Sequence, residues 1–217
     1  MRNYYTNREN PVKQTNFIEN IFQLSASSYG IDLGCGDGKH LSLLRKISTR
    51  IYGVDKVDKE NEFIKSIDFF EEEIQINNLD FAYCISPYFG TNWWRIESFF
   101  KNINNSLRKN GLFLIDLFEF NSYPDDYKWS ESYISEGVEV EVKYKKTKDR
   151  VIAQKIINNS TVKWLVWRVF DKEEFYKIAN DVGFEREQEY FDFDSNIHGT
   201  WDEQLTPKRL QILLKKS

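Results

Sequence analysis

Apolar positions along the chain fall in short blocks whose spacing switches between that of strands and that of helices. Tyr29 to Leu33 reads as a short buried strand, and the glycines at 34, 36 and 38 cannot extend it. Lys39 to Ile47 then carries helical spacing, so this stretch is a strand, a tight glycine turn and a helix. Upstream, Asn10-Pro11 sets an N-cap before a proline at the first helical position. Phe17, Ile18, Ile21, Phe22 and Leu24 put an apolar stripe on that helix, which either covers a sheet or acts as a flap over a ligand. Downstream, Ile51–Asp55, Phe63–Ile67, Asp80–Ile85 and Leu112–Leu117 read as strands. Asn92 to Lys109 reads as a helix with Ile96, Phe99, Phe100, Ile103 and Leu107 on one face, stopped by Asn110-Gly111.

The pattern changes over residues 137–170. Val138 to Lys145 alternates as a half-buried strand, Thr147-Lys148-Asp149 turns it, and Arg150 to Ile157 returns. Asn158-Asn159-Ser160 turns again, and Thr161 to Phe170 supplies a third strand with Trp164 and Trp167. The expectation is an antiparallel meander inserted after the fifth strand. Its Lys143, Lys145, Lys146 and Lys148 read as a solvated edge that discourages further pairing, or as a surface for an acidic partner. Asp171 and Glu174 then have capping-box spacing, and Phe170 with Phe175 has hydrophobic-staple spacing. Gly183 ends that helix. Glu185–Phe193 and Arg209–Lys215 read as the last two strands, joined by a loop carrying His198, Gly199 and Trp201.

At 217 residues, with 41% hydrophobic and 16% aromatic content, the chain suits one sizeable core, which predicts a single domain over residues 1–217 with 137–170 inserted in it. The formal net charge of −4 gives no overall attraction to nucleic acid or an anionic membrane. No signal peptide or membrane-spanning run is visible. Cys35 and Cys84 lack metal-site spacing and read as reduced apolar residues, which fits a cytoplasmic location.

The chemistry concentrates at Ile31-Asp32-Leu33-Gly34-Cys35-Gly36-Asp37-Gly38. Glycine is needed where backbone reaches positive φ or passes close to a ligand. The helix that follows offers unpaired N–H groups to a carboxylate or a phosphate. The dinucleotide fingerprint G-x-G-x-x-G is a rival reading, but Lys39 stands where its third glycine belongs. Asp55 ends the second strand about 20 residues beyond the glycines, the position of an acidic residue that accepts hydrogen bonds from ribose hydroxyls.

An acidic residue followed by G-x-G-x-G, here Asp32 with Gly34, Gly36 and Gly38, resembles motif I of the class I S-adenosylmethionine (SAM)-dependent methyltransferases. Arg8-Glu9-Asn10-Pro11, Phe17-Ile18-Glu19 and His40 look like features of a small-molecule subgroup of that family. Ser86-Pro87-Tyr88-Phe89-Gly90 falls where the family places its fourth motif, with serine, aromatics and glycine in a different order. A weaker match is the N-P-P-Y type motif of amino-methylating enzymes. The second crossover departs from the family: Lys56-Val57-Asp58-Lys59 stands where most members have a full helix.

The resemblance implies an α/β, Rossmann-like sheet of seven mostly parallel strands, the last antiparallel, with the small antiparallel insert as a lid. It implies SAM as cofactor and S-adenosylhomocysteine as product. The cofactor-binding residues would be Tyr5, Asp32, Gly34, Cys35, Gly36, Gly38, His40, Asp55, Lys56, Asp68, Phe69 and Ser86. Asp68 is placed for the adenine amino group and Phe69 for stacking on the base. On the acceptor side the candidates are Tyr88, Glu119 and His198, the last two as general bases unless positioning alone suffices. The expected reaction is direct methyl transfer to an N, O or C atom of a small-molecule partner, with no metal. The alternatives are methylation of RNA or protein, a nucleotide-binding oxidoreductase, or a non-catalytic protein of the same fold.

Overall fold

The computed structural model describes residues 10–58, 60–85, 93–118, 123–135, 137–198 and 209–217. Helix α1 (Pro11–Phe22) starts as its sequence demands: the Asn10 side chain accepts the Lys13 N–H at 2.9 Å, and Pro11 fills the first helical position. Strand β1 (Gly30–Leu33) leads through the glycine turn to α2 (Lys39–Leu44). Helix α2 is shorter than the predicted Lys39–Ile47; the chain beyond Leu44 closes in tight turns, with Lys46 and Ile47 N–H donating to carbonyls three residues back. Strands β2 (Ile51–Asp55), β3 (Ile64–Ser66) and β4 (Leu79–Cys84) follow. Among the described residues no helix separates β2 from β3, as the short second crossover predicts.

Helix α3 (Ile96–Ser106), preceded by a 3-10 turn at Trp93–Arg95, packs Ile96, Phe99, Phe100 and Ile103 into the core. It ends earlier than predicted, because Leu107 is already extended and begins strand β5 (Leu107–Phe118). Asn110-Gly111 is therefore not a helix stop. Between the pairs Leu79↔Leu107 and Phe81↔Leu112 the β5 backbone bulges, and Asn110 takes the left-handed φ of 60° that the bulge requires. A Cβ on Gly111 would lie 2.9 Å from the Arg108 carbonyl oxygen, so the bend needs glycine there.

The chain continues through β6 (Lys128–Ser135), β7 (Val138–Lys146), β8 (Arg150–Ile157), β9 (Ser160–Arg168), α4 (Lys172–Asp181), β10 (Phe184–Phe191), β11 (Asp194–His198) and β12 (Arg209–Lys216). The main sheet has the order β11-β10-β12-β5-β4-β1-β2-β3. Its pairs from β5 to β3 are parallel, and β12 runs antiparallel to both β5 and β10. The expected seven strands are all present; β11 adds an eighth at the edge, formed by residues predicted as loop. Both faces of the sheet are covered. Phe99 and Phe100 of α3 and Phe175 of α4 meet Phe113 and Phe184 on one face, with Phe100 and Phe175 edge-to-face at 5.5 Å. Phe17 and Ile18 of α1 and Leu41 and Leu44 of α2 cover Phe81, Tyr83, Leu114 and Leu213 on the other. Asp171 caps α4 by accepting the Glu174 N–H, and Phe170 packs edge-on against Phe175 at 6.3 Å, the predicted staple.

The second sheet, β6-β7-β8-β9, has its own core of Val140, Val142, Tyr144, Val151, Ala153 and Trp167. It contains one strand more than the predicted meander, β6, whose Trp129 stacks on Tyr144 at 4.7 Å. With β6 alongside, β7 is an interior strand, so its lysines do not mark an edge. Lys146 is buried and binds Asp125 at 2.7 Å, and Lys145 binds Asp126 at 2.9 Å, so these two lysines pair with acids of this chain. Among the described residues no helix is long and apolar enough to cross a membrane.

Candidate active site

The carboxyl end of the parallel sheet carries the glycine turn. Gly34, Gly36 and Gly38 all have left-handed φ, at 71°, 54° and 72°. That run of conformations is cheap only for glycine. Gly34 and Cys35 both donate N–H to the Val54 carbonyl, at 2.7 and 3.1 Å, which ties the turn to β2. A Cβ on Gly36 would meet nothing within 4 Å, so the turn faces open space at that residue. The side chain of Cys35 turns the other way. It is buried, and its Sγ would lie 2.7 Å from a Cβ on Gly53, which accounts for glycine in the middle of β2.

Asp55 closes the site from the side. Its Oδ2 accepts the Gly36 N–H at 2.9 Å and its Oδ1 accepts the Val57 N–H at 3.1 Å. Each oxygen retains acceptor capacity for a ligand hydroxyl. Lys56, next along, is exposed. Phe69 lies across the turn, with its ring edge 3.7 Å from a Cβ built on Gly34, and packs on Phe70 and Phe99. Asp68 beside it is half-buried and accepts the Phe70 N–H at 3.2 Å, so its carboxylate orders the loop after β3.

His40 pairs with Gln14 of α1 at 2.7 Å and so fixes that helix against the turn. Burial, then Arg209 and Lys39, hold the imidazole down at about 4, so it is neutral at pH 7. Asp32 lies under the turn at 2% exposure, in register with Gly53 of β2 and Tyr83 of β4. Burial pushes its carboxyl up to about 7; the Tyr83 hydroxyl pulls it down and Asp55 pushes it further up. The Tyr83 pull falls short of a closed bond: neither Asp32 Oδ2 nor the Tyr83 hydroxyl has a hydrogen-bond partner among the described residues.

Further along the same end, Arg209 binds Asp116 through both Nε and Nη2, and Gln211 donates to Asp116 at 2.7 Å. All three are buried, and the Arg209 guanidinium lies 4.9 Å from the Phe193 ring centroid. Sequence reasoning did not single out these residues, nor Gln14 or Tyr83. The one available signal was charged or polar residues inside apolar strand runs, at Asp116, Arg209 and Gln211.

The glycine turn, Asp32, Asp55, His40 and Phe69 thus share one end of the sheet. His198 is the last residue of β11, in backbone register with Tyr190. Tyr5, Ser86, Tyr88, Phe89, Glu119, Gly199 and Trp201 lie outside the described residues. Among the described residues no group of three or more His, Cys, Asp or Glu side chains is arranged to hold a metal ion.

The chain matches no family model and no curated protein. Solved structures do resemble it. A SAM-dependent methyltransferase from Clostridium acetobutylicum ATCC 824 superposes with a TM-score of 0.75 over 95% of this chain and 92% of that one, at 17% identity. The fold is that of the class I methyltransferases. A SAM-bound amino pentose methyltransferase from Micromonospora echinaspora shares this methyltransferase fold at TM-score 0.69 and 13% identity, over 98% of this chain and 94% of that one. A Burkholderia thailandensis 1,6-didemethyltoxoflavin-N1-methyltransferase, with its substrate and S-adenosylhomocysteine bound, does so at 0.61 and 12%, over 100% and 82%. In the methyltransferase fold the strand order reverses between β1 and β4, and the glycine turn stands at that crevice, where open α/β sheets bind ligands.

Proposed function

We propose that the chain is a SAM-dependent methyltransferase that acts on a small-molecule acceptor. The observation that carries this reading is the triple left-handed glycine turn, open above Gly36 and latched to Asp55. The residues present fit the cofactor. The space above Gly36 admits its methionyl part, the spare acceptor sites of Asp55 suit two ribose hydroxyls, and Phe69 offers an apolar wall for adenine. The solved structures of the same fold that hold SAM, or S-adenosylhomocysteine with a small substrate, support the same assignment.

Bound SAM supplies a methyl group on a positively charged sulfur, which is already electrophilic. The protein's task is then to align the acceptor, exclude water and accept a proton where the acceptor carries one. Alignment alone contributes on the order of 7–11 kcal/mol. In this reading the whole chain is one catalytic domain. The second sheet is assigned as its lid, because in the chain it follows β5 and precedes α4. Tyr88, Glu119 and His198 are assigned to the acceptor side, with Glu119 or His198 to take a proton if the acceptor requires it. Tyr5, Lys56, Asp68 and Ser86 complete the cofactor side.

The test is transfer of label from methyl-labelled SAM into metabolite, RNA and protein fractions. Label in metabolites, retained in the presence of a chelator, is the expected result. Label confined to RNA or protein overturns the small-molecule assignment, and loss of transfer on chelation overturns the metal-free one.

A further inference from the structure

The second sheet packs one face and leaves the other to solvent. Val142, Tyr144 and Trp167 belong to the packed face. Cross-strand partners share a face, so the other face is read from the register. On β7 it carries Glu139, Glu141, Lys143 and Lys145; across β8 and β9 it carries Ile152, Ile156 and Trp164. No described side chain of this face is buried. Trp164 is 61% exposed, and Ile134, opposite Glu139 on β6, is 69% exposed. The charges are also ordered. Glu139 and Glu141 lie toward the turn between β6 and β7, and Lys143 and Lys145 toward the opposite end. Lys143 reaches Glu141 at 3.4 Å and Lys145 reaches Asp126 at 2.9 Å. Both pairs are exposed, and exposed pairs hold weakly enough to exchange partners.

We propose that this face is the contact between two copies of the chain, related by a two-fold axis that lies in the face and runs across the strands. Such an axis reverses strand direction and sets each strand over its own counterpart. Glu139 and Glu141 of one copy then face Lys145 and Lys143 of the second copy, and the reverse. The axis passes between Glu141 and Lys143. Trp164, in the same row as Lys143, lies beside the axis and packs near its counterpart. An axis along the strands would set acidic end over acidic end, which like-charge repulsion disfavours. The charge order is thus its own complement, whereas a foreign partner would have to present the same order reversed. Four strands of about eight residues, at about 3.4 Å per residue and about 4.8 Å apart, offer about 500 Å² per copy. Two copies bury about 1,000 Å², at the lower bound of a specific interface, so the association is reversible and concentration-dependent. The contact stands whether or not the glycine turn binds SAM.

The experiment is sedimentation velocity of the full chain from about 1 to about 100 µM. The sedimentation coefficient is expected to rise from that of one chain to that of two. The association should weaken in about 1 M salt, where screening acts within about 3 Å. Glu139→Lys with Glu141→Lys, and separately Lys143→Glu with Lys145→Glu, should each raise the dimer dissociation constant at least about tenfold, because like charges then face each other. Thermal denaturation checks that each variant is folded. Mixing the two variants should restore association, now between unlike chains, since every acid again faces a lysine. Trp164→Lys leaves those four charges in place and should also weaken the dimer at least about tenfold. A wild type that stays monomeric at about 100 µM overturns the proposal. So does a dimer that survives both charge reversals, a mixture of the folded variants that fails to associate, or a Trp164→Lys dimer with an unchanged dissociation constant.

Discussion

Asp55 Oδ2 accepts the backbone N–H of Gly36 at 2.9 Å, so the acid that ends the second strand also fixes the middle of the glycine turn. One carboxylate thus shapes the site and remains available to a ligand. Asp55→Ala should weaken SAM binding by about tenfold to a hundredfold, since hydrogen bonds to a charged group contribute about 1.5–3 kcal/mol. Equilibrium binding to the folded variant measures it; an unchanged dissociation constant removes Asp55 from the site.

Gly36→Ala separates folding from binding. The new methyl group meets nothing within 4 Å in the protein, but φ is +54°. The backbone cost is about 1–2 kcal/mol, so thermal denaturation should show a modest loss. SAM binding should fall much further, because the methyl group enters the space assigned to the cofactor. A variant that binds SAM like the wild type shows that the ligand lies elsewhere.

The buried Asp116–Arg209 pair anchors β12 to β5 at the carboxyl end. Arg209→Met leaves Asp116 as an uncompensated buried charge and should cost about 3–5 kcal/mol in denaturant unfolding. Removing both charges with Asp116→Asn and Arg209→Met together should cost less than the single change. Equal losses would show that the two charges do not act as a pair.

Two buried groups make stability depend on pH in opposite directions. His40 is held at about 4, below its usual 6.5, so its contribution is present above about pH 6.5 and is lost as pH falls toward 4. Asp32 is raised to about 7, so its contribution is present below about pH 4 and is lost as pH rises toward 7. Relative to wild type, His40→Gln should gain stability on acidification from about pH 6.5 to 4. Asp32→Asn should gain as pH rises from about 4 to 7. Urea unfolding across that range checks both, and parallel pH curves for wild type and variants would contradict the assignments.

The readable parts of the sequence were those with strong local chemistry. The glycine turn, the Asn10-Pro11 helix start, the Asp171 cap with its Phe170–Phe175 staple, and the Asn158-Asn159 turn use residues suited to their backbone. Asn158 and Asn159 sit at φ 49° and 61°, which asparagine tolerates. The β10–β11 hairpin hides because Asp192 and Phe193 make the same kind of turn, at φ 53° and 55°, without glycine or asparagine. Tertiary contacts hold it: Phe17 packs edge-on against Phe193 at 5.6 Å, and Gln211 accepts the Phe193 N–H at 2.9 Å. Asn110-Gly111 misleads for the converse reason, a good helix-stop signal used in a bulge. The Asp32–Tyr83 and Asp116–Arg209 pairs join residues 51 and 93 positions apart, which no local pattern reports.

Whether the glycine turn takes SAM and not a nicotinamide dinucleotide is decided by titration calorimetry of the purified chain with SAM, S-adenosylhomocysteine and NAD. Saturable heat at one site is expected for SAM and its product, and none for NAD. Saturable NAD binding with no heat from SAM would contradict it.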